Sequence, residues 1–478
     1  MIIDGERISD GAANTFYTPA LRAFLAFIER RTGVTIVHES SRSPWDNQDL
    51  VYAGDIVTTL EEAGIIEWVH EVVPRPDEPQ LKRWDAKFHA SKEPAGGVSF
   101  ESHEAALLAC AAESLERHLW TEASDFPARA VYASTADLRT RTAIISPARF
   151  AGFSEAQRAT EPALFFDDQT VFAWVRGHSL VHDNPIYIPA QAVSGSRSVR
   201  VHSGAMEPLI RPRVTTGLAT WPQRTGAQLR GVLEIIERDA YMILWLNQLT
   251  LPRLDLSPLM QQSAPLARMV SVCERYMLRI HAIRMLTDAP TNAVCAIVED
   301  LSGVAPRFTL GLRAGRSLVD TIIAATTEAL RARHGARVYA ESRGHQWDDS
   351  RKVAEIDHHG RLHFWTDPAH ANRLQFLISG DEVAPVASPW SEDTEAVHMT
   401  RLLDWCRIAG YECASVSLGT NGSNPLPWHV ESVVIPELQP IHLTESLRAI
   451  GGTRLHCIPK RFGYAPQTPF VDAPHPFI

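Results

Sequence analysis

Two helix-like segments of this chain carry the same five-residue pattern, Glu-x-x-Glu-Arg, and this repetition constrains the fold more than any other feature. The first copy occupies residues 113–117 and the second residues 234–238. Residues three apart project from nearly the same face of a helix, so each copy presents two carboxylates side by side, followed by an arginine. At ordinary residue frequencies such a pattern is expected on the order of 0.1 times in a chain of this length. The repetition therefore indicates a shared role.

The surroundings of both copies predict buried helices. The segments HEAALLACAAESLERHLW (103–120) and TGAQLRGVLEIIERDAYMILWLNQ (225–248) are apolar on nearly every side, and helices of that kind are buried. Buried carboxylates must be paired or bind metal. Two converging helices would gather four carboxylates, which suit a hard cation such as Mg²⁺ and, through it, nucleotide phosphates, while arginine offers a planar fork for phosphate oxygens. Alternatively, each Glu–Arg pair is a buried ion pair that only sets helix packing; the residues alone leave both readings open.

Strand-like and helix-like segments alternate along the rest of the chain. Strands are predicted at RAVYAS, TVFAWVRGHS, NPIYIP, RIHAIRML, NAVCAIVED, APRFTLGLRAG and ESVVIPELQP, and a third long helix at SLVDTIIAATTEALRARHG (317–335). The segment RPDEPQ (75–80) predicts a surface connection. This order is typical of a mixed α/β protein whose sheets are covered by helices. We predict a small α/β N-terminal extension at residues 1–56 and a main domain at residues 57–478.

Composition and the remaining motifs exclude several functions. The 46 Lys and Arg against 56 Asp and Glu give a net charge of −10, which argues against nucleic acid as a general partner. No secretory signal is visible and no apolar run approaches the ~20 residues of a membrane span, so we expect a cytoplasmic protein without a membrane partner. The chain has no GxxxxGK[ST] phosphate loop, no HExxH motif and no Cys/His set at zinc spacing. Its six scattered cysteines predict reduced, buried thiols.

The central segment TTGLATWPQRTGAQLRGVLEIIERDAYMILWLNQLTLPRLDL (215–256) resembles the central signature of the YcaO superfamily, in which a Ser/Thr-Gly-Leu-Ala turn precedes a helix with E-x-x-E-R-D-A. ACAAESLERHLW resembles the first signature of that family and TTEALRARHGARVYAESR (326–343) the third. VVIPELQPIHLTESLRAIGGTRL resembles a late segment of its azoline-forming members. The resemblance covers roughly residues 57–478, in the correct order. It implies a YcaO-type fold and ATP and Mg²⁺ as cofactors of an ATP-dependent catalytic domain.

The same resemblance implies roles for individual residues. It makes the Mg²⁺ ligands Glu113, Glu116, Glu234 and Glu237, the nucleotide-binding residues Arg117, Arg238, Glu328 and Arg333, and the catalytic residues Glu237, Arg238 and Ile478. The sequence departs from the family pattern at two places. The serine of the first signature is Ala109, and the usual glycine-lysine turn is Gly96-Gly97-Val98-Ser99, without lysine.

The chain ends in the proline-rich segment YAPQTPFVDAPHPFI. Proline fixes φ and makes such a segment extended and stiff. Azoline-forming relatives end in a similar Pro-x-Pro-x-Pro tail that inserts towards the active site, which implies that residues 474–478 do the same here. Ile478 stands where the last proline is expected, and its terminal carboxylate would help organise the reacting groups. The alternative is a frayed, solvated tail.

As a whole, the resemblance implies a peptide cyclodehydratase that uses ATP to close Cys, Ser or Thr of a ribosomal precursor peptide into azoline rings, the route to thiazoles and oxazoles. The implied partners are the precursor peptide, a separate leader-binding E1-like (ThiF-like) protein and an FMN-dependent dehydrogenase that oxidises azoline to azole. Three alternatives stay open: thioamide formation, backbone macrocyclisation, and a noncatalytic subunit that docks peptide and partners after partial loss of its ATP site.

Overall fold

Helices and strands alternate along the chain, as predicted. The computed structural model describes residues 53–477, with gaps at 89–93, 123–125, 197–199, 203–204, 345, 349–351 and 421, and also the strands β1 (Ile2–Ile3) and β2 (Glu6–Arg7). The helices, numbered in chain order, are α1 (Ala53–Glu62), α2 (His103–Glu122), α3 (Phe126–Arg129), α4 (Thr135–Arg139), α5 (Glu155–Thr160), α6 (Arg224–Leu246), α7 (Ser257–Gln262), α8 (Ala264–Arg275), α9 (Leu318–Arg343), α10 (His358–Thr366), α11 (Glu395–Ala409) and α12 (Arg454–Arg461).

The strands form three main sheets, in which nearly all neighbours are antiparallel. The first has the order β3 (Ile66–Glu71), β4 (Lys82–Phe88), β5 (Ala95–Ser99). The second has the order β11 (Leu218–Trp221), β18 (His429–Val434), β17 (Ala414–Leu418), β7 (Val171–Ser179), β6 (Val131–Ser134), with β8 (Asn184–Pro189) also paired to β7. The third has the order β15 (Phe308–Gly315), β14 (Asn292–Asp300), β13 (Leu278–Arg284), β12 (Arg253–Leu254), β16 (Glu382–Val383). Two short pairs, β1–β2 and β9 (Val201–His202) with β10 (Ala205–Met206), complete the set.

The three long helices α2, α6 and α9 meet where the sheets meet. Each pair of these helices shares one strand: α2 and α9 both pack on β5, α2 and α6 on β11, and α6 and α9 on β15. The approach of α2 to β5 requires glycine at residue 97, because a Cβ there would lie 1.8 Å from the carbonyl oxygen of Ala106. Side chains from all three helices therefore face a common region bordered by β5, β11 and β15. The predicted mixed α/β architecture, with sheets covered by helices, is confirmed.

The apolar run AYMILWL (240–246) forms the C-terminal end of α6 and is buried throughout. Residues 240–246 pack into a core with β13, β14 and β15 and with α10. The same core contains Ala473 and Phe477 near the end of the chain. None of the helices in the described part combines the length and the apolar character needed to cross a membrane.

A buried ion pair ties α6 to the region that leads into the tail. Asp239 accepts hydrogen bonds from Nε and Nη2 of Arg454, at the start of α12, at 2.8–3.0 Å. Asp239 also accepts a hydrogen bond from the backbone N–H of Gln439, at 2.8 Å. Both charged side chains are almost completely buried, so their charges are compensated inside the protein rather than by water.

Three local predictions need correction. The third long helix does not end at Gly335 but continues to Arg343. A Cβ at Gly335 would have no neighbour within 4 Å, so this glycine marks no close contact, and the chain leaves the helix at Gly344, with φ 85°. Segment 75–80 is not simply a surface connection, since its Glu78 is buried and contacts the added turns of α9. Of the six cysteines, which are all free, Cys457 is exposed rather than buried.

The predicted division of the chain stays a prediction. Apart from β1 and β2, residues 1–52 lie outside the described residues, and so does most of the predicted extension 1–56. The predicted boundary at residue 56 falls within α1 (Ala53–Glu62), whose buried side chains join the same core as α2.

Candidate active site

The first Glu-x-x-Glu-Arg copy lies on α2 and faces two of the shared strands. Glu113 accepts a hydrogen bond from the backbone N–H of Gly96 in β5 at 2.7 Å, and its other oxygen lies 2.5 Å from Nη2 of Arg117. Glu116, one turn further, accepts a hydrogen bond from the backbone N–H of Thr220 in β11 at 2.7 Å. The two carboxylates are thus held by two different sheets.

The second copy lies on α6. Glu234 accepts a hydrogen bond from the backbone N–H of Gly217 at 3.0 Å, just before β11. Gly217 has φ +91°, a conformation that favours glycine. Glu237 is buried and lies near the backbone of Ala314 in β15. Arg238 lies 3.5 Å from an oxygen of Glu234 and 3.3 Å from one of Glu237.

A fifth glutamate comes from α9. Glu328 accepts a hydrogen bond from the backbone N–H of Leu312 in β15 at 2.6 Å. Four of the five glutamates are therefore anchored by a backbone N–H from β5, β11 or β15 or from the residue just before β11, namely Glu113, Glu116, Glu234 and Glu328. An anchored carboxylate has one oxygen fixed by the backbone, which leaves the other oxygen to bind a further partner.

Burial and mutual repulsion perturb these carboxylates. Burial, with repulsion from Glu113 and Glu234, raises the pKa of Glu116 to about 8. Burial and repulsion from Glu237 raise the pKa of Glu328 to about 7. Burial also raises the pKa of Glu234 and of Glu237, against the opposing charge of Arg238. The charges repel one another in sequence from Glu113 to Glu328, so the five residues form one electrostatic cluster, named the glutamate cluster below.

The donor set of the glutamate cluster fits Mg²⁺. Mg²⁺ is a hard cation that prefers oxygen ligands, and it is commonly held by one or two carboxylates plus nucleotide phosphates. Carboxylates whose charged form is disfavoured by burial and by one another are stabilised when a divalent cation binds between them. The buried ion-pair alternative does not account for Glu116 and Glu328, because the ion pairs of the cluster go to Glu113, Glu234 and Glu237.

Two further arginines lie at the cluster, and neither was predicted from the sequence. Arg331, on α9, has Nη2 3.9 Å from Oε2 of Glu113 and would lie 3.1 Å from a Cβ at Gly96. Arg313, in β15, contributes a positive charge that lowers the pKa of Glu237 and Glu328. Helical spacing gives a signal for Arg331, because it follows Glu328 by three residues and so shares its face. Arg313 has no signal in the sequence.

Arg333, predicted to contact the nucleotide, is engaged on another side of α9. Its Nη2 donates to Asp300 at 2.5 Å and its Nη1 lies 3.6 Å from Glu78. Five residues after Glu328, Arg333 projects about 140° away around the helix. Its predicted contact with the nucleotide stays a prediction, and Arg331 is the arginine that α9 brings to the cluster.

The tail docks in the core beside the glutamate cluster, so the frayed alternative is wrong for its described part. The backbone N–H of Phe477 donates to the hydroxyl of Tyr241 at 3.3 Å, and the indole of Trp365 donates to the carbonyl of Pro474 at 3.1 Å. The guanidinium of Arg238 lies over the ring of Phe477, 4.2 Å from its centroid. Ile478 lies outside the described residues, and its predicted role stays a prediction.

A family model described as "YcaO cyclodehydratase, ATP-ad Mg2+-binding" matches residues 100–439. The chain belongs to the YcaO family. The predicted membership is confirmed, and so are ATP and Mg²⁺, which the description of the family gives as its ligands. The matched region contains all five residues of the glutamate cluster. No curated protein matches the chain by sequence.

Solved YcaO structures share the fold. A heterocyclase in complex with substrate and cofactor superposes with a TM-score of 0.69 at 17% identity, over 94% of this chain and 60% of the other. YcaO from Methanopyrus kandleri, bound with AMPPCP and Mg²⁺, gives 0.57 at 15% identity, over 81% of this chain and 91% of the other. The E. coli microcin synthetase McbBCD complex with pro-MccB17 bound gives 0.56 at 13% identity, over 78% and 89%. This chain thus spans about three fifths of the first heterocyclase chain.

Proposed function

We propose that this YcaO protein is an ATP-dependent cyclodehydratase that converts Cys, Ser or Thr of a ribosomal precursor peptide into azoline rings. The observation that carries the proposal is the docked proline-rich tail, whose Phe477 lies under Arg238 of the glutamate cluster. A YcaO site that served only to hold a nucleotide would have no need of the chain end beside it. The likeness to heterocyclase structures supports the same chemistry.

In this proposal Glu113, Glu116, Glu234 and Glu237 hold Mg²⁺, and Glu328 completes the carboxylate set. Arg117 and Arg238 contact phosphate oxygens or brace the glutamates that hold the ion. Arg331 takes the nucleotide-binding role predicted for Arg333, and its charge substitutes for the lysine that is missing beside Gly96. With that charge in place, the altered turn at residues 96–99 is compatible with a working ATP site, which argues against the noncatalytic alternative.

The reaction needs an oxygen to become a leaving group. The Cys, Ser or Thr side chain attacks the carbonyl of the preceding amide, and ATP with Mg²⁺ supplies the phosphoryl group that lets the resulting oxygen depart as phosphate. The protein contributes positioning and charge neutralisation, as is usual for phosphoryl transfer. Arg238 is central, because it contacts Glu234 and Glu237 on one side and the tail on the other.

We further propose that the terminal carboxylate of Ile478 extends the tail towards the reacting groups. Phe477, directly before it, is fixed by its ring contact with Arg238 and by its backbone hydrogen bond to Tyr241. A stiff segment loses little conformational entropy on docking, so a few contacts hold it in place. The proposed partners are the precursor peptide, a leader-binding E1-like protein and an FMN-dependent dehydrogenase.

The test is mass spectrometry of the precursor peptide after incubation with the chain, ATP, Mg²⁺ and the leader-binding protein. Each azoline subtracts the mass of one water, and fragmentation should locate the loss at a Cys, Ser or Thr. Exchange of oxygen for sulfur would indicate thioamide formation instead. Water loss between distant residues would indicate macrocyclisation.

Glu237→Gln keeps the side-chain shape but removes the charge, so ring formation and ATP consumption should fall on the order of a hundredfold or more. Glu122→Gln, at the exposed end of α2, is the matched control and should behave like the parent protein. An unmodified peptide under all conditions, with ATP bound but not consumed, would favour the docking subunit over the enzyme.

A further inference from the structure

A second cluster of chemically active side chains lies where the tail contacts the residues that follow β18. It consists of His442 and Glu445, which follow β18, and His475 in the tail. One ligand atom from each residue lies within 4.8 Å of the other two. All three residues are buried, at 1%, 4% and 0% exposure. None of them belongs to the glutamate cluster, and the proposed reaction uses none of them.

The hydrogen bonds of His475 leave one of its ring nitrogens bare. Its Nε2 lies 2.7 Å from the carbonyl oxygen of His442, and since a carbonyl only accepts, Nε2 carries the hydrogen. Nδ1 therefore presents a lone pair, and it has no hydrogen-bond partner among the described residues. A histidine that donates one N–H to a backbone carbonyl and keeps a lone pair on its other nitrogen has the arrangement of most metal-ligating histidines.

His442 and Glu445 have the spacing of two ligands on one ion. Nε2 of His442 lies 3.2 Å from Oε2 of Glu445, and two atoms bound tetrahedrally to zinc are separated by about 3.3 Å. The other oxygen of Glu445 accepts a hydrogen bond from Nη2 of Arg361 at 2.9 Å, and the same nitrogen donates to the carbonyl of His442 at 3.2 Å. Arg361 thus orients the carboxylate through Oε1, while Oε2 faces Nε2 of His442.

Metal ligands must be deprotonated. Since a carboxylate oxygen only accepts, Nε2 of His442 carries a hydrogen in its contact with Glu445. An ion bound there would require that hydrogen to move to Nδ1 of His442, which is buried and has no hydrogen-bond partner among the described residues.

We propose that His442, Glu445 and His475 form a binding site for a transition-metal ion of the zinc type. Two imidazole nitrogens and one carboxylate suit Zn²⁺, whereas Mg²⁺ requires mainly oxygen ligands. The neighbouring positive charges of Arg361 and Arg448 disfavour a cation held by charge alone, so they select an ion that forms strong bonds to nitrogen. The bound ion would fasten the tail at residue 475 to residues 442–445.

The experiment measures zinc retained by untagged protein after dialysis against a low concentration of chelator, by elemental analysis. The parent chain should keep about one equivalent, while His475→Gln and His442→Gln should bind Zn²⁺ at least about tenfold more weakly. His456→Gln is the matched control, because His456 is exposed and contacts the tail only through the ring of Phe470. Co²⁺ should give a visible absorption band in the parent and in the control, but not in the two variants.

Equal zinc content in the parent chain and in His475→Gln, or none in either, would overturn the proposal. Circular dichroism of each variant shows whether it is folded, and the Co²⁺ spectrum of the folded fraction decides the case if stability falls. Because the readout is metal content, it stands apart from ATP consumption. A protein that forms no azoline could still bind zinc, and an active cyclodehydratase could lack it.

Discussion

At the scale of the residue, four of the five carboxylates of the glutamate cluster are anchored to the backbone. Gly96, Thr220, Gly217 and Leu312 supply the N–H groups. Each such bond fixes one oxygen without bringing in a positive charge. The cluster therefore keeps the negative charge that a divalent cation needs. Without the cation, the carboxylates repel one another, and this repulsion should make the stability of the protein depend on pH.

The stability of the metal-free protein should fall as the pH rises from about 5 to about 8. The pKa of Glu116 is raised from 4.5 to about 8 and that of Glu328 from 4.5 to about 7, so the folded state binds more protons than the unfolded state in this range. Under that condition the free energy of unfolding decreases with pH. Thermal melting in the presence of chelator, at a series of pH values, measures the effect.

Mg²⁺ with a non-hydrolysable ATP analogue should reverse this trend, because the cation competes with protons and binds more tightly as the pH rises. Glu116→Gln removes one of the two titrating groups and should flatten the metal-free profile. If the Gln variant shows the same decline with pH as the parent, the decline has another origin.

At the scale of the element, Arg331 and Arg333 lie on different faces of α9. Their substitution should therefore affect nucleotide binding and stability separately. Arg331→Gln should weaken ATP affinity by about tenfold with little change in stability, since a charge-assisted hydrogen bond contributes roughly 1.5–3 kcal/mol. Arg333→Gln leaves the buried Asp300 and Glu78 without their shared partner, a loss on the order of 3–5 kcal/mol. Nucleotide titration measures the change in ATP affinity of each variant, and thermal melting measures the change in stability. If folded Arg333→Gln binds ATP more weakly and Arg331→Gln does not, Arg333 is the nucleotide-binding arginine, as predicted from the sequence.

The docked tail gives a second prediction at this scale. Deleting residues 474–478 should lower ring formation on the order of a hundredfold, because the reacting groups lose their positioning, while ATP affinity changes little. Trp365→Phe removes the hydrogen bond to the carbonyl of Pro474 together with part of a buried ring, and it should lower the rate less, in the same direction. Ring formation at the parent rate by the truncated chain would remove the main support for azoline chemistry.

What the sequence could predict at this scale depended on periodic signals. The helices α2 and α6 and their four glutamates followed from apolar periodicity and from a repeated motif. The far end of α9 was missed because Gly335 resembles a helix stop, although its surroundings are open. The buried position of Glu78 was missed for the same reason, because Glu78 contacts Arg337 in the turns of α9 beyond Gly335. The cluster of His442, Glu445 and His475 was missed because its third member lies 33 residues from the first, a separation that no local motif includes.

At the scale of the whole molecule, the proposed leader-binding protein gives a prediction about the rate of turnover. The chain alone should process a full-length precursor and a leaderless peptide at similar, slow rates. Added leader-binding protein should accelerate only the full-length precursor, since binding both parts raises the local concentration of the peptide. Mass spectrometry over time measures both rates. Fast, leader-dependent turnover by the chain alone would contradict this.

The buried pair of Asp239 and Arg454 has a consequence for how the family can diverge. Replacing one of the two residues alone leaves an incompletely paired charge in the interior, whereas replacing both by apolar residues of similar volume is often tolerated. Substitutions at these two positions, 215 residues apart, should therefore be inherited together among close relatives. A lineage that lost one of them alone would be expected to carry a compensating change at Asp288, the other acid that contacts Arg454.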